Sequence, residues 1–350
     1  MTDIKSMTIE QLTSYMETMG EKPYRARQLY EWMHIRLAES FSDMTNLPKS
    51  LRERLAEECE YTLLKTEREQ ISKEDGTRKY LFSLADGQMI ESVFMPYHHG
   101  NSVCISSQAG CRMGCRFCAS AIGGLVRNLT AAEMLEQIYR ISAATGERVS
   151  NIVVMGTGEP LDNYDNLLRF IRLITDENGL HISQRNITVS TCGLVDRIRM
   201  LATQKLQITL ALSLHAVTDE KRRQIMPIAK RYQIAELMEA MTYYASVTGR
   251  RVTFEYSLIS GVNDTDEDAA GLAALAKGPG AHVNLIPVNP VTETAFLPPD
   301  RHKADIFKNK LEKYGTNVTI RRRLGADIDA ACGQLRRKVN RLQGSIQPRV

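Results

Sequence analysis

Short apolar segments alternate with helical segments through the middle of the chain, and this alternation limits the folds available to it. Helical stretches such as Tyr164–Thr175 and Ile234–Thr248 separate five predicted apolar strands: Asn151–Gly156, Asn186–Thr191, Gln207–His215, Arg251–Ile259 and His282–Val288. Apolar strands joined by helices are typical of parallel sheets that are covered on both faces. The sequence therefore predicts an α/β protein whose parallel sheet forms a full or partial barrel, with its chemistry at the carboxyl ends of the strands.

The first 100 residues have a different pattern. Three helices are predicted, beginning at Thr8, Tyr24 and Leu51. Two strands follow at Lys79–Leu84 and Met89–Met95, and the turn between them makes a hairpin. A further strand is predicted at Asn101–Gln108, so a small helical unit and a β extension should precede the barrel.

Composition limits the class of protein. The chain has 350 residues, 43% of them hydrophobic, which is enough for a large core. We find no apolar run of about 18 residues and no signal sequence, so a cytoplasmic protein without a membrane segment is expected. Seven cysteines in a reducing compartment favour metal ligation or thiol chemistry over structural disulfides.

Three of these cysteines, Cys111, Cys115 and Cys118, lie within eight residues. Three thiolates are one short of a closed tetrahedral zinc site, whereas an iron–sulfur cube held by three cysteines keeps one iron open. Zinc remains an alternative with Cys104 as the nearest fourth ligand, although zinc sites usually contain paired C-x2-C motifs. The triplet favours a reactive iron–sulfur site.

Candidate ligand-binding residues lie at or just beyond the ends of several predicted strands. Gly158 and Glu159 directly follow the strand predicted at Asn151–Gly156, and the other candidates are Ser190, Ser213, Leu214, His215 and Asn289. Each alone is an ordinary cap, turn or structural residue. Their shared position at strand ends makes them candidate ligand contacts.

The C-terminus combines a cysteine with basic charge. Cys332 lies between Ala331 and Gly333, a small-residue setting typical of an accessible loop. From Lys313 onward there are nine Lys and Arg against two Asp, whereas the whole chain has a net charge of +4. Such a strip is either a phosphate-binding surface or a solvated helix face.

The cysteine triplet resembles the signature of the radical S-adenosylmethionine (SAM) superfamily, C-x3-C-x2-C, with Phe117 as the aromatic residue before the last cysteine. The resemblance implies a [4Fe–4S] cluster on Cys111, Cys115 and Cys118 whose open iron chelates SAM. An electron from the cluster would then cleave SAM to a 5′-deoxyadenosyl radical. It also implies that Gly158 and Glu159 contact the amino group of SAM.

Several further segments closely resemble the RlmN/Cfr RNA methyltransferases: 106–111, 128–129, 211–215, 226–228, 261–264, 282–287 and 327–335. The resemblance covers about residues 20–340 and implies a partial (βα)6 TIM-like barrel. It divides the chain into a helical RNA-contacting domain (1–75), a β-hairpin extension (76–100), the radical SAM barrel (101–325) and a catalytic-cysteine loop with a basic tail (326–350).

In this family the reaction consumes two SAM molecules. The resemblance implies that Cys332 takes a methyl group from the first. A radical from the second then removes hydrogen from that methyl group, and the carbon radical adds to adenine. Glu91 matches the family's base, and Cys104 matches the thiol that releases the product through a transient disulfide with Cys332.

One branch of the family methylates C2 of an adenosine in 23S rRNA and of the adenosine 3′ of the tRNA anticodon; the other methylates C8 of the same rRNA nucleotide and confers antibiotic resistance. Pro287 favours the C2 branch. The C8 enzyme and a non-enzymatic, zinc-holding RNA-binding protein remain alternatives. An electron donor such as flavodoxin or ferredoxin and a monomeric state are expected. Cys192 departs from the usual residue beside Ser190 and is interpreted as a bystander.

Overall fold

A computed structural model describes residues 2–289, 295–329, 333, 335 and 336. The first 60 residues form a helical unit that is closed by a parallel pair of two-residue strands. Its elements are β1 (Thr2–Asp3), α1 (Ile9–Thr18), α2 (Tyr24–His34), α3 (Lys49–Glu58) and β2 (Cys59–Glu60). The three predicted helices are confirmed, and a capping box at Thr8 begins α1.

A ten-stranded sheet forms the centre of the fold after the helical unit. Its parallel strands are β6 (Asn101–Cys104), β9 (Val149–Val154), β10 (Ile187–Thr191), β11 (Thr209–Ser213), β12 (Val252–Leu258), β13 (His282–Pro287) and β14 (Val318–Ile320). Its antiparallel strands are β3 (Lys65–Ile71), β4 (Arg78–Ser83) and β5 (Met89–Met95), which lie beside β6. The order runs from β14 to β3 without closing, so the α/β prediction of a partial barrel is confirmed.

Helices connect the parallel strands, as in repeated βα units. They are α4 (Ala131–Thr145), α5 (Tyr164–Ile174), α6 (Val195–Ala202), α7 (Asp219–Ile225), α8 (Ile234–Thr248), α9 (Asp266–Lys277) and α10 (Arg301–Lys313). The predicted helix at Ile234–Thr248 has these bounds in the structure. No helix in the described part of the chain is long and apolar enough to span a bilayer.

Two expectations need correction. The single strand predicted at Asn101–Gln108 is two strands, because β6 ends at Cys104 and a separate β7 (Gln108–Gly110) pairs with β8 (Leu125–Asn128). Strand β3 lies inside the segment 1–75 that the sequence assigned to the helical unit, yet it pairs with β4. Its side chains are almost all exposed and polar, so it lacks the apolar alternation that marks a strand.

Candidate active site at the carboxyl edge of the sheet

The three clustered cysteines lie in the loop between β7 and β8. Gly110, the last residue of β7, has φ +83°, and a Cβ on it would lie 2.1 Å from the Gly124 carbonyl oxygen. The Cys111 N–H donates to that same oxygen at 2.9 Å. Glycine is therefore required where the two ends of the loop meet.

Burial dominates the electrostatics of these thiols. It raises the pKa of Cys111 to about 12, and it also raises the pKa of Cys115. The neighbouring Cys118 acts in the same direction on both. Among the described residues no three His, Cys, Asp or Glu side chains are grouped as a metal site in this conformation. Three thiols within eight residues of the sequence nevertheless fit an iron–sulfur cluster, because thiolates are the ligands that such clusters prefer. The positive irons of a bound cluster would lower the thiol pKa values that burial raises.

Glu159 lies beside this loop, at the carboxyl end of β9. It is buried, and its carboxylate accepts from the backbone N–H groups of Cys192 at 2.7 Å and Leu161 at 3.0 Å. Burial raises its pKa, and these hydrogen bonds act in the opposite direction. A carboxylate has about four acceptor positions, so Glu159 can still accept from a ligand ammonium group.

The glycines before Glu159 have a packing role that the sequence did not indicate. A Cβ on Gly156 would lie 2.7 Å from the Ile105 carbonyl oxygen, and one on Gly158 would lie 2.7 Å from Ser107 Oγ. Both glycines therefore let the connection between β6 and β7 pass close to the end of β9.

The remaining strand-end candidates lie on neighbouring strands. Ser190 on β10 and Ser213 on β11 have their hydroxyl oxygens 3.3 Å apart. Leu214 is fully buried, and Asn289, just after β13, is half-buried. The sheet thus brings the serines together and places the other candidates along the same edge.

His215 links this edge to the cysteine loop. It has φ +58°, and its Nδ1 accepts from the Ser257 N–H at 2.9 Å, which leaves the ring proton on Nε2. Burial lowers the pKa of His215 to about 3. Its ring packs edge-on against Phe117, with centroids 4.9 Å apart. A neutral imidazole is therefore held against the aromatic residue that precedes Cys118.

Glu91 on β5 is the acceptor in a second group of buried polar contacts. Lys79 Nζ lies 2.7 Å from its Oε2, and both side chains are almost fully buried. The backbone N–H of Gly333 donates to Oε2 and that of Arg336 to Oε1, both at 2.6 Å. Sequence reasoning missed Lys79, although strand register would place it near Glu91 on one face of the hairpin.

Cys104 faces the same side of the sheet. It pairs with Val93 across β5 and β6, two residues along from Glu91, and successive residues of a strand alternate between faces. The thiol is buried in a small apolar cluster with Val93 and Leu324.

The C-terminal segment is fastened to the β3–β4 hairpin on its way to this site. The Gly325 N–H donates to Asp75 Oδ2 at 2.9 Å, and the Asp329 N–H donates to Gln70 Oε1 at 3.1 Å. Gly333 then lies against the cysteine loop, because a Cβ on it would lie 2.9 Å from Ala119 Cβ. Cys332 lies outside the described residues.

A three-cysteine loop at the carboxyl edge of a partial α/β barrel, beside a buried glutamate and paired serines, defines a class of enzyme. The Radical SAM superfamily model matches residues 105–273, and the chain is a radical SAM enzyme. The model of the ribosomal RNA large subunit methyltransferase N-terminal domain matches residues 2–61. The chain belongs to the RlmN family of RNA methyltransferases, as the comparisons with whole proteins show.

Relatives and a solved structure support this assignment along the whole chain. The protein named "Probable dual-specificity RNA methyltransferase RlmN" from Lachnospira eligens is 61% identical over 338 residues, covering 97% of each chain. That of Clostridium perfringens strain 13 is 50% identical and covers 98% of this chain and 99% of its own. The crystal structure of a radical SAM methyltransferase from Sphaerobacter thermophilus superposes with a TM-score of 0.91 at 43% identity, covering 95% of this chain and 99% of that one.

The cofactors of this family are a [4Fe–4S] cluster and SAM. The enzyme is a SAM-dependent RNA methyltransferase, and the alternative of a non-enzymatic zinc protein is wrong. Cys111, Cys115 and Cys118 are the residues available to hold the cluster.

Proposed function

We propose that this enzyme methylates C2 of an adenosine in 23S rRNA and C2 of the adenosine 3′ of the anticodon in tRNAs. The dual-specificity name of its relatives supports two RNA substrates. Pro287, at the carboxyl end of β13, supports C2 over C8. The observation that carries the proposal is the contact of Glu91 with Gly333, the residue that follows Cys332 in the chain.

In this proposal Cys332 carries the methyl group, Glu91 accepts a proton and Cys104 releases the product. When bound, the cluster and SAM supply the radical that removes hydrogen from the methyl group on Cys332. The Gly333 N–H donates to Glu91 Oε2 at 2.6 Å, and this hydrogen bond supports a role for Glu91 next to Cys332. Cys104 is buried on the same sheet face as Glu91, and this position supports a role for its thiol in the same reaction.

The residues at the carboxyl edge would bind SAM. Glu159 and Gly158 would receive its amino group, and Ser190, Ser213, Leu214, His215 and Asn289 would contact the rest of the molecule. Because His215 is neutral and donates only through Nε2, it would act as a hydrogen-bond donor and not as a cation. Phe117, packed against His215, would cover the cluster side.

Two cysteine variants test the assigned roles. Cys332→Ala should bind a full complement of iron but transfer no methyl group to protein or RNA. Cys104→Ala should accumulate a covalent RNA–protein adduct, visible as a shifted band on a denaturing gel. Cys59→Ala, which alters a buried cysteine in the helical unit, is the matched control and should methylate RNA normally. Free methylated RNA produced by Cys104→Ala would contradict the proposal.

The position of the methyl group requires product mapping. RNA from a deletion strain, with and without the restored gene, should be digested and analysed by mass spectrometry. We expect 2-methyladenosine in both 23S rRNA and tRNA. 8-Methyladenosine would identify the alternative C8 enzyme, and modification confined to rRNA would remove tRNA from the proposal.

An electron must reach the cluster, and we propose that a flavodoxin or ferredoxin delivers it to a monomeric enzyme. Reduced flavodoxin or ferredoxin should support multiple turnovers in an anaerobic assay, and the active species should elute at the monomer mass of 39.4 kDa. Elution of the active species at twice that mass would show a dimer and contradict the proposed monomeric state.

A further inference from the structure

Arg222, on α7, is a fully buried cation. Its Nε donates to the Leu214 carbonyl at 3.1 Å, and its Nη2 donates to the Cys192 carbonyl at 2.6 Å. Its Nη1 is buried and has no hydrogen-bond partner among the residues that the structure describes. No ion pair reaches it in the same set, although an uncompensated buried charge costs several kcal/mol. The residues that the structure describes provide no anion in contact with this guanidinium.

The anion that fits is defined by what surrounds Arg222. The last residue of its helix, Ile225, accepts the Arg116 N–H at 2.9 Å, and Arg116 lies between Cys115 and Cys118. Cys115 and Ile225 also pack in one small apolar cluster with Cys192, whose carbonyl Arg222 holds. The helix that holds Arg222 is therefore attached to the cysteine loop, next to Cys115.

Three thiolates more than offset the positive charge of an oxidised cubane core, and the electron that starts the reaction adds more negative charge. A buried cation nearby stabilises the reduced cluster more than the oxidised one, because the low local dielectric strengthens the interaction. Charge and hydrogen bonds around an iron–sulfur cluster are known determinants of its reduction potential.

We propose that Arg222 is a positioning residue that provides the counter-charge for the cluster and raises its reduction potential. The guanidinium is held rigidly by carbonyls at the ends of β10 and β11, so its charge is preorganised for the reduction step. The proposal depends on cluster binding and is independent of the RNA position that is methylated.

Three variants separate charge from structure. Arg222→Gln keeps a donor for the carbonyls but removes the charge, whereas Arg222→Lys keeps the charge. Arg223→Gln removes the same charge from the next position of α7, where the side chain is exposed and screened by solvent. Each protein is reconstituted anaerobically, its iron is quantified, and the cluster is titrated with reductant and followed by electron paramagnetic resonance without SAM.

We expect Arg222→Gln to shift the midpoint potential in the negative direction, with a reduction equilibrium at least tenfold less favourable, which is 59 mV for one electron. Arg222→Lys should retain most of the wild-type value, and Arg223→Gln should be unchanged. If Arg222→Gln fails to hold iron, retention of iron by Arg222→Lys still supports the proposal.

Two outcomes would overturn the proposal. Equal loss of iron in Arg222→Gln and Arg222→Lys, with the same drop in the melting temperature of both apoproteins, would make Arg222 a structural link between strands. An unchanged potential combined with weaker SAM binding, measured by equilibrium dialysis, would assign the guanidinium to the SAM carboxylate.

Discussion

At the scale of single residues, the site depends on buried charges that look like surface charges in the sequence. Lys79 occurs in an apolar strand, and Arg222 occurs in the run Asp219–Arg223, which is otherwise typical of a solvated helix. Residue type and spacing singled out the cysteine triplet and Glu159 as candidates, whereas Glu91 was indicated only by the family resemblance. The two cations were missed because their burial is decided by strand register and helix packing, which one sequence does not reveal.

The buried pair of Lys79 and Glu91 gives a stability prediction. Glu91→Gln should lower the free energy of unfolding of the apoprotein by about 3 kcal/mol, because the ammonium group of Lys79 stays buried without its carboxylate. The double variant Lys79→Met, Glu91→Gln should recover part of that loss. Urea unfolding of the two single variants and the double variant gives the coupling energy, which we expect to exceed about 1 kcal/mol.

A matched surface pair provides the control for that cycle. Lys49 and Glu53 form an exposed pair one turn apart on α3, where a coupling of about 0.5 kcal/mol or less is expected. If the Lys79–Glu91 cycle gave an equally small value, the pair would not be buried in solution as it is here.

At the scale of elements, the C-terminal segment is positioned by the β3–β4 hairpin and by the cysteine loop. Asp75, from the hairpin turn, and Gln70, from β3, hold the segment by its backbone N–H groups. Gly333 then packs against the cysteine loop so closely that a Cβ on it would lie 2.9 Å from both Ala119 Cβ and the Ser120 nitrogen. A segment held by backbone donors can keep its place while its side chains react.

Gly333→Ala should disturb this docking. The added methyl would press on Ala119 and Ser120, immediately after Cys118, at a residue with φ +76°. We expect RNA methylation to fall at least tenfold, since a displacement of about 1 Å can cost a hundredfold in rate. Gly280→Ala is the matched control: it has a similar φ of +62° and nothing within 4 Å, so it carries the backbone strain without the clash.

The comparison of those two variants separates docking from strain. Similar activity losses in both would mean that positive φ alone is responsible and that the contact with the cysteine loop is incidental. Hydrogen exchange of the Ala119 and Ser120 amides should increase in Gly333→Ala only, because the covering segment is displaced.

Elements were predicted correctly from the sequence where one face is buried, because burial makes apolar residues recur at regular intervals. The parallel strands from β9 to β13 and helix α8 were found because their apolar residues repeat, whereas the three-residue β14 was missed. Strand β3 was missed because it is a polar edge strand whose only apolar residue, Ile71, is half-exposed. The path of the C-terminal segment could not be predicted either, since its contacts join residues about 250 positions apart.

At the scale of the whole molecule, the helical unit docks on the barrel through buried polar contacts to α4. Lys5 pairs with Glu136 at 2.7 Å with both side chains 1% exposed, and the Ala132 N–H donates to Ser6 Oγ at 2.9 Å. His34 Nδ1 lies 2.7 Å from the Tyr139 hydroxyl oxygen. Because buried polar contacts tolerate few alternative arrangements, they fix one orientation of the helical unit on the barrel.

His34 makes that docking sensitive to acid. Burial lowers its pKa to about 3, and its Nε2 has no partner within the described residues, so a second ring proton would have no acceptor. The unfolded chain binds that proton below pH 6.5, whereas the folded chain does so only near pH 3. Stability therefore falls as the pH falls through this window, by about 1.4 kcal/mol per pH unit for this histidine.

The prediction is tested with His34→Gln, which keeps a hydrogen-bonding group for Tyr139 but cannot titrate. Between pH 6 and pH 5 the apoprotein of the wild type should lose about 1 kcal/mol more unfolding free energy than this variant does, measured by urea unfolding. His302→Gln, which alters an exposed histidine on α10, controls for the loss of one imidazole. Equal pH dependence of wild type and His34→Gln would mean that the His34 ring reaches solvent, and that the helical unit is not closed over α4 in solution.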